Sequence, residues 1–288
     1  MGYTLLMPEL PEVQTIVNNL NTYIQGDTLL ELNFRRTDVI GSGKGLSVDY
    51  KEFIGEKLLE VSRHGKYLLF YFTNDLLLIV HLRMTGKLIY LPALNPEDQK
   101  AILNHKHSHV RLDFSSGPLI YNDVRRFGRL YFTKINEDTN LNEVLNSGPD
   151  ALSAEFTPEY LYKEAQRHPK QAIKTFLLNQ KNVAGVGNIY ADESLFKAKI
   201  LPYRPAKSLS KAEIAELHQA LIETLKLAIK SGGTSFSDYR NANNAKGSFQ
   251  DRLYIYGRAG ENCLVCNTKL EHKKLAGRTT VYCPHCQK

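Results

Sequence analysis

Apolar residues recur from Pro11 to Ile24 with the spacing of one face of a helix. The positions are Val13, Ile16, Val17, Leu20 and Ile24. Their period predicts an amphipathic helix with one buried stripe. Pro11 suits the first turn of such a helix, and the helix dipole favours the carboxylate of Glu12 there.

From about residue 28 to residue 134 the pattern changes to short apolar runs separated by turn residues such as His64-Gly65 and Asn74-Asp75. The runs are Lys57–Arg63, Lys66–Phe72, Leu76–Leu82, Lys87–Leu91, Val110–Phe114, Leu119–Asn122 and Arg129–Thr133. Short strands joined by close turns indicate an antiparallel sandwich or barrel.

After Gly148-Pro149 the pattern becomes helical. Helices are predicted at about 157–167, 170–180, 190–198 and 210–231. A glycine-rich turn at 184–188 ends in Asn188, which is a good N-cap, and the last helix closes at Ser231-Gly232-Gly233. Residues 234–250 are polar and rich in Gly and Asn, so we expect a loop there.

All four cysteines fall at the end of the chain, in the pattern C-x2-C, sixteen residues, C-x2-C. They are Cys263, Cys266, Cys283 and Cys286. Two such knuckles can complete a tetrahedral shell of four thiolates around Zn²⁺. The alternative is a pair of disulfides, which an intracellular chain disfavours. A shell of four protein ligands leaves no place for water, so the predicted zinc is structural.

Composition places the chain among ordinary globular proteins. It has 288 residues, 42% hydrophobic and 23% charged, and its length suggests about two domains. No apolar run approaches the roughly 20 residues of a membrane span. The start of the chain has no basic region of the secretory type, so we expect a cytoplasmic protein.

The net charge of +7 is concentrated at one end. Residues 239–288 hold nine Lys or Arg and three Asp or Glu. A basic terminal segment points first to nucleic acid and second to an anionic membrane, and a solvated basic face is the alternative.

Two glycine-rich stretches lack nucleotide-binding spacing, and no organic cofactor is predicted. Gly41–Gly45 has no Walker A spacing, and Gly185–Gly187 lacks the third glycine of a dinucleotide fingerprint. His105, His107 and His109 alternate and could line one strand face. Because no carboxylate or thiol joins them in sequence, contact with phosphate is favoured over a second metal site.

Seven short segments occur in a specific order. They are Pro8–Val13, Gly65–Leu68, His81–Gly86, Asn122–Gly128, Gly185–Tyr190, Tyr254–Arg258 and Gly277–Cys286. From Pro8 to Lys288 this set resembles the bacterial formamidopyrimidine-DNA glycosylase family. The sister branch, endonuclease VIII, resembles it in architecture, but the opening Pro-Glu-Leu-Pro-Glu-Val and Arg-Arg-Phe-Gly are similar to the purine-lesion branch.

The resemblance implies four catalytic residues. Pro8 is the nucleophile through its own nitrogen, since a free α-amine is less protonated at pH 7 than a lysine. Glu9 protonates the opening sugar, Lys66 donates a proton for β-elimination, and Arg278 contacts phosphate and assists δ-elimination. Glu12 is a supporting residue that holds nearby donors in place.

The resemblance also implies how duplex DNA is held. Extruding a base leaves a gap in the stack, and Met84, Arg125 and Phe127 match the residues that fill it. The DNA-contact candidates are His107, Arg125, Arg126, Lys174, Asn188 and Arg258. For Asn188 the physical reason is that a glycine-rich turn before a helix offers N–H groups to phosphate.

One departure from the family concerns the first residues. The family begins at the proline once the initiator Met is removed, whereas here Met1–Leu6 precede Met7. In a chain that starts at Met1, the Pro8 nitrogen is an amide and cannot form a Schiff base. We expect Met7 to be the true start; removal of the extension, or a protein that binds lesions without processing them, are the alternatives.

The predicted fold is α+β. Its parts are an extension at 1–7 that is absent from the mature enzyme, a β-sandwich domain with a catalytic N-terminal helix at 8–135, a helix-two-turn-helix domain at 150–233, a lesion-capping loop and linker at 234–253, and a zinc-finger β-hairpin at 254–288.

By resemblance, the predicted function is a monomeric, bifunctional DNA glycosylase and abasic-site lyase of base excision repair, with one Zn²⁺. Its partner is double-stranded DNA that contains oxidised or abasic sites, and no membrane is involved. It excises 8-oxoguanine and formamidopyrimidines and acts in the bacterial cytoplasm on the nucleoid. The alternatives are an endonuclease VIII-like enzyme for oxidised pyrimidines and a non-catalytic lesion binder.

Overall fold

A computed structural model describes the chain along residues 7–41, 48–135, 145–234 and 247–288. The chain divides into two units, each treated by itself below. The N-terminal unit comprises Met1–Val144 and Ser231–Gln250, and the C-terminal unit comprises Leu145–Lys230 and Asp251–Lys288. Residues 1–6 of the predicted extension at 1–7, and residues 235–246 of the predicted lesion-capping loop, lie outside the described residues.

Helix α1 (Leu10–Ile24) opens the N-terminal unit, as its apolar period predicts. Its buried stripe contains Val13, Ile16, Val17, Leu20 and Ile24. The helix begins at the N-cap Glu9 and ends where Gln25 turns to an extended conformation. It packs on the strands Leu58–His64 and Tyr67–Phe72.

Eight strands form two four-stranded antiparallel sheets. The first has the order β1 (Leu29–Phe34), β6 (Ser108–Phe114), β7 (Gly117–Asp123), β5 (Gly86–Tyr90). The second has the order β2 (Leu58–His64), β3 (Tyr67–Phe72), β4 (Leu76–His81), β8 (Arg129–Lys134).

One core joins the two sheets and α1. Phe72 of β3 lies 5.3 Å from Phe53 and 6.4 Å from Phe114 of β6, ring centroid to centroid, so aromatic side chains bridge the sheets. Because the strands form two separate sheets that enclose a shared core, the structure confirms the sandwich rather than the barrel.

Helix α2 (Pro96–Asn104) was not predicted. It lies between β5 and β6, and none of its residues is buried, so it leaves no apolar period in the sequence. Its origin is local. Asn95 is the N-cap and accepts a bond from the Asp98 N–H at 2.9 Å, and Pro96 occupies the first turn.

The C-terminal unit holds four helices and a hairpin. They are α3 (Pro158–Gln166), α4 (Ile173–Leu178), α5 (Asn188–Lys197), α6 (Lys211–Lys230), β9 (Glu271–Leu275) and β10 (Arg278–Tyr282). Helix α5 packs on both α6 and β10. Across the described ranges, no helix is both long enough and apolar enough to cross a bilayer.

Helix α4 is shorter than the predicted 170–180. The N–H groups of Ile173 and Lys174 donate to the carbonyls of Arg204 and Pro202, at 2.7 and 3.1 Å. A neighbouring segment therefore satisfies the first donors of this helix, which lets it begin at Ile173 without a side-chain cap.

Candidate active site and nucleic-acid interface

The residues predicted to be catalytic begin at the start of α1. Pro8 and Glu9 are buried. The Glu9 N–H donates to Glu12 Oε2 at 2.9 Å, and the two residues form a capping box. The other oxygen of Glu12 accepts from the Thr234 N–H at 2.7 Å. Glu12 thus ties the start of the helix to a segment 222 residues away in sequence.

Gly233 lets that segment approach. Its φ is +80°, and a Cβ there would lie 3.0 Å from both Cγ and Oε1 of Glu12. A larger residue would push the backbone away from the carboxylate. The segment leads directly into 235–246, so Glu12 fixes the point from which the predicted lesion-capping loop departs.

Lys66 is the second residue of the two-residue turn between β2 and β3, across which His64 pairs with Tyr67, and its side chain is buried. Beside it in the sheet, the ring of His81 contacts Tyr67 at 4.5 Å between centroids. The Arg83 N–H donates to His81 Nδ1 at 3.0 Å. Burial, and then the charges of Arg83 and Lys66, lower the pKa of His81 to about 3. His81 is therefore neutral near pH 7 and carries its proton on Nε2.

The three residues predicted to fill the gap in the DNA stack come together. Met84 lies in the loop between β4 and β5, and Arg125 and Phe127 lie in the loop after β7. Arg125 Nη1 is 3.2 Å from Met84 Sδ. The Arg125 guanidinium also lies 4.6 Å from the centroid of the Phe127 ring, which is 49% exposed. We call these three residues the void-filling cluster.

A buried carboxylate supports this cluster, and sequence analysis missed it. Asp123 is fully buried at the end of β7. Its Oδ1 accepts from the Thr85 hydroxyl and from the Arg125 N–H, and its Oδ2 accepts from the Gly128 N–H at 2.9 Å and the Tyr121 hydroxyl at 3.0 Å. The sequence did contain an indication of this role, since Asp123 stands between an apolar run and the pair Arg125-Arg126.

The alternating histidines are mostly engaged in the protein. His109 Nε2 bonds the Asp123 carbonyl at 2.8 Å, and His105 Nδ1 lies 3.0 Å from the side-chain amide of Asn122. His107 is half-buried and remains the candidate for DNA. Among the described residues, the only group with the geometry for a metal ion is the cysteine cluster, so no second metal site forms here.

Four thiols converge in the C-terminal unit. All four Sγ atoms lie within 4.8 Å of one another. Cys263 and Cys286 are 3.9 Å apart, and Cys266 and Cys283 are 3.4 Å apart. Tetrahedral Zn–S bonds of about 2.3 Å place neighbouring sulfurs about 3.8 Å apart. The donor set and its spacing therefore fit one structural Zn²⁺, and the disulfide alternative fails because all four cysteines are free.

Arg278 stands at the tip of the zinc hairpin. It is exposed and begins β10, opposite Leu275 of β9. The turn between them uses Ala276 and Gly277, both with positive φ, at 45° and 73°. This turn geometry matches the twist of a two-residue hairpin. It presents the guanidinium to solvent at a rigid position.

Lys174 is placed differently from its predicted contact with phosphate. Its side chain is fully buried, and its Nζ lies 2.7 Å from Asp192 Oδ1. It also donates to the Thr280 hydroxyl at 2.8 Å and the Thr279 carbonyl at 3.2 Å. An ammonium enclosed by three protein oxygens cannot reach DNA in this conformation. Asn188 donates to the same Thr279 carbonyl at 3.1 Å, so both residues brace the hairpin.

Arg258 is also bonded into the protein. It donates to the carbonyls of Tyr254 and Asn262 at 2.6 and 3.0 Å, and to the Glu261 carboxylate at 2.9 Å. The segment before it is held by Glu193, a buried acid that sequence analysis missed. Glu193 accepts from the three consecutive N–H groups of 254–256, at 2.8 to 3.0 Å.

Three family models match the chain in succession. The formamidopyrimidine-DNA glycosylase N-terminal domain matches residues 7–130, the H2TH domain of the same enzymes matches 147–240, and the zinc finger found in FPG and IleRS matches 260–288. A formamidopyrimidine-DNA glycosylase of Carboxydothermus hydrogenoformans is 42% identical over 98% of this chain and 100% of its own length.

The chain belongs to the formamidopyrimidine-DNA glycosylase family.

Solved structures of this family have the same fold. The MutM (Fpg) protein of Thermus thermophilus is 36% identical, with a TM-score of 0.83 over 97% of this chain and 98% of that chain. The Lactococcus lactis Fpg in complex with DNA containing an abasic site is 36% identical, with a TM-score of 0.82 over 98% and 100%. The family resemblance, the α+β architecture and the structural zinc finger are thereby confirmed.

Proposed function

We propose that this formamidopyrimidine-DNA glycosylase family member excises oxidised purines from duplex DNA and then nicks the strand at the resulting abasic site. The observation that carries the proposal is the succession of three family matches, which cover the sandwich, the helical module and the zinc hairpin. The lesions are 8-oxoguanine and formamidopyrimidines. The site of action is the bacterial cytoplasm, on the DNA of the nucleoid.

The first chemical step belongs to the start of α1. With its nitrogen free, Pro8 attacks C1′ of the damaged nucleotide as a secondary amine. The N-glycosidic bond breaks, and the base leaves with a proton. Glu9 protonates the ring oxygen of the sugar as the ring opens, and a cationic Schiff base forms between Pro8 and C1′. The family match begins at Met7, which supports a mature chain that starts with Pro8.

Strand cleavage follows from the Schiff base, which acidifies the proton at C2′. Solvent takes up that proton and the 3′ phosphate leaves by β-elimination, with Lys66 donating a proton to the departing phosphate oxygen. A second elimination expels the 5′ phosphate, and Arg278 contacts it from the hairpin tip. Hydrolysis of the remaining iminium releases Pro8. Zinc supplies no chemistry in these steps, since its four thiolates hold the hairpin in shape.

DNA is held by two kinds of contact. The void-filling cluster occupies the gap that the extruded nucleotide leaves, with a thioether, a guanidinium for the orphaned base and an aromatic wedge. His107, which is half-buried, and Arg126, which is exposed, are the candidates for the phosphate backbone. Lys174, Asn188 and Arg258 hold their segments in place through their bonds to the protein.

The test is excision on duplexes that carry either 8-oxoguanine or thymine glycol, followed by borohydride trapping. Excision of 8-oxoguanine with a trapped adduct supports the proposal. Preference for thymine glycol favours an endonuclease VIII-like enzyme instead. Binding of both duplexes with neither excision nor trapping, by a chain whose Pro8 is shown to be free, indicates a lesion binder.

A further inference from the structure

Arg83 is held in an unfavourable backbone conformation. Its φ is +54°, in the left-handed region that glycine adopts freely and that side chains with a Cβ avoid. It lies in the turn between β4 and β5, directly before Met84 of the void-filling cluster. The hydrogen bond that holds it is made by the backbone, from its N–H to His81 Nδ1 at 3.0 Å.

The backbone does not need an arginine here. A glycine would keep the N–H bond to His81 and would relieve the strain. The side chain is exposed, and no carboxylate of the described residues forms an ion pair with it. A residue that weakens the local fold and gains no internal partner is explained by a partner outside the protein.

The other loop of the void-filling cluster repeats the arrangement. Arg126 stands between Arg125 and Phe127 with a φ of +59°. Arg83 and Arg126 are the two arginines with positive φ in the described part of the chain. Arg126 lies 3.4 Å from Asp38, whereas no described acid stands in that relation to Arg83. Each of the two loops thus contains members of the void-filling cluster and, next to them in sequence, one arginine with a positive φ.

We propose that Arg83 binds a backbone phosphate of the DNA next to the gap that Met84 enters. The inference rests on the proposed function, because it needs a duplex with an extruded or missing base. The turn places Arg83 directly before Met84, and a phosphate diester supplies the charge that the protein does not. Phosphate is favoured over a base edge because the neighbouring Met84 and Arg125 are the residues proposed to occupy the gap in the base stack.

Two substitutions separate the side chain from the backbone strain. Arg83→Gly removes both, whereas Arg83→Ala removes the side chain and keeps the strain. Both should bind a duplex with a non-cleavable tetrahydrofuran abasic site about 3- to 10-fold more weakly at low salt. The Tm of Arg83→Gly should exceed that of Arg83→Ala by about 2–4 °C. Arg83→Gly should therefore weaken DNA binding while it removes the backbone strain at position 83.

Salt dependence identifies the ligand. The slope of log affinity against log salt should become shallower by about 0.9 for Arg83→Gly and Arg83→Ala, which is the value of one phosphate contact. Arg83→Lys should keep most of the slope. Lys51→Ala removes an exposed charge from the short 3₁₀ helix Tyr50–Phe53. It is the control for net charge and should leave the slope unchanged.

The full chain is used throughout, and a set of opposite bases is compared. An equal loss of affinity for every opposite base supports a phosphate contact. A loss confined to one opposite base assigns Arg83 to base reading and overturns the proposal, as do unchanged affinity and slope in both variants. If the unsubstituted chain binds the abasic duplex no better than undamaged DNA, the proposed function itself fails. If the unsubstituted chain prefers the abasic duplex and the Arg83 variants bind it equally well, only the proposal for Arg83 fails.

Discussion

In the N-terminal unit, the predicted DNA-contact residues Arg125 and Arg126 are exposed, and a buried acid holds the loop beneath them. In the C-terminal unit, the predicted contacts Lys174 and Arg258 are bonded into the protein instead. The same residue types are therefore exposed to a ligand in one unit and serve as internal braces in the other.

The number of internal partners separates the two roles. A buried cation that meets three oxygens has exchanged its hydration for protein contacts, and little attraction remains for a phosphate. The exposed guanidinium of Arg126 contacts one acid, Asp38, at 3.4 Å and keeps its other donors for a ligand. The acids Asp123, Asp192 and Glu193 are all buried. Each bonds a residue in or beside a segment that carries predicted site residues.

The largest expected effect concerns the N-terminal unit alone. A chain of residues 8–288 with Pro8 free should form a borohydride-reducible adduct with DNA that carries an abasic site. A chain of residues 1–288 should form none, because its Pro8 nitrogen is an amide. Both should bind the DNA, since the void-filling cluster and the zinc hairpin do not depend on a free amine. Denaturing gel electrophoresis after borohydride treatment measures the adduct.

Two variants act as controls for this all-or-none result. Pro8→Gly keeps an α-amine and should retain a weaker reaction. Lys66→Ala keeps the nucleophile, so trapping on a ready-made abasic site should persist while base excision slows. Equal trapping by uncleaved 1–288 and by 8–288 would show that Pro8 is not the nucleophile, and Lys66 would be the first residue to test in its place.

The next effect should be confined to the C-terminal unit. Cys266→Ser removes one of four zinc ligands, so the hairpin should unfold and DNA binding should weaken strongly. The sandwich has its own large core and should stay folded. Zinc analysis measures the metal content, circular dichroism measures the folding, and DNA titration measures the binding. Less than one zinc per folded, active wild-type chain would contradict the structural role.

Lys174→Met tests the brace directly. It leaves Asp192 buried without its cation, so we expect a loss of about 3–5 kcal/mol in the free energy of unfolding of the C-terminal unit. Lys170→Met, at an exposed lysine nearby, is the control and should change stability by less than about 0.5 kcal/mol. Urea denaturation compares the two variants. Equal stability of both would mean that the buried pair braces nothing.

Asp123→Asn tests the support of the void-filling cluster. The carboxylate accepts with two oxygens, whereas an amide has one oxygen and an NH₂ group. The NH₂ group would therefore face the N–H of Gly128 or of Arg125, and one of these hydrogen bonds would be lost. We expect a loss of about 1–3 kcal/mol in stability. Duplex binding should weaken further than this unfolding explains, while trapping on single-stranded abasic DNA should persist. Asp98→Asn on the exposed helix α2 is the control. A uniform loss on both DNA forms would argue against the supporting role.

Sequence alone predicted the parts of the fold that leave a period or a fixed spacing. The α1 stripe, the strand runs and the four cysteines all did so. Helix α2 was missed because it buries nothing, and α4 was predicted too long because a neighbouring segment supplies the partners of its first donors.

Within the site, motif order predicted which side chains meet, as Met84, Arg125 and Phe127 do. It did not predict which cations are buried, because burial of Lys174 depends on Asp192 and on Thr280, which is 106 residues away from Lys174 in sequence. Nor did it reveal the strain at Arg83, since φ is a property of the folded turn.

The smallest expected effect is also the one that most directly distinguishes a cation that binds DNA from a cation that is bonded inside the protein. For undamaged duplex, log affinity should fall linearly with log salt, as the basic character of the chain predicts. Arg126→Met removes an exposed charge and should make this slope shallower by about 0.9. Lys174→Met removes the same formal charge from a buried position, so the slope of the folded protein should stay unchanged even where affinity falls.

The two variants must be compared under conditions where both are folded, which thermal denaturation of each verifies. A change in slope for Lys174→Met as large as that for Arg126→Met would mean that the buried ammonium reaches phosphate in the complex, through a rearrangement that breaks its bonds to Asp192 and Thr280. An unchanged slope for Arg126→Met would remove Arg126 from the DNA contacts. Either result would reverse the assignment that the number of internal partners gives to these two cations.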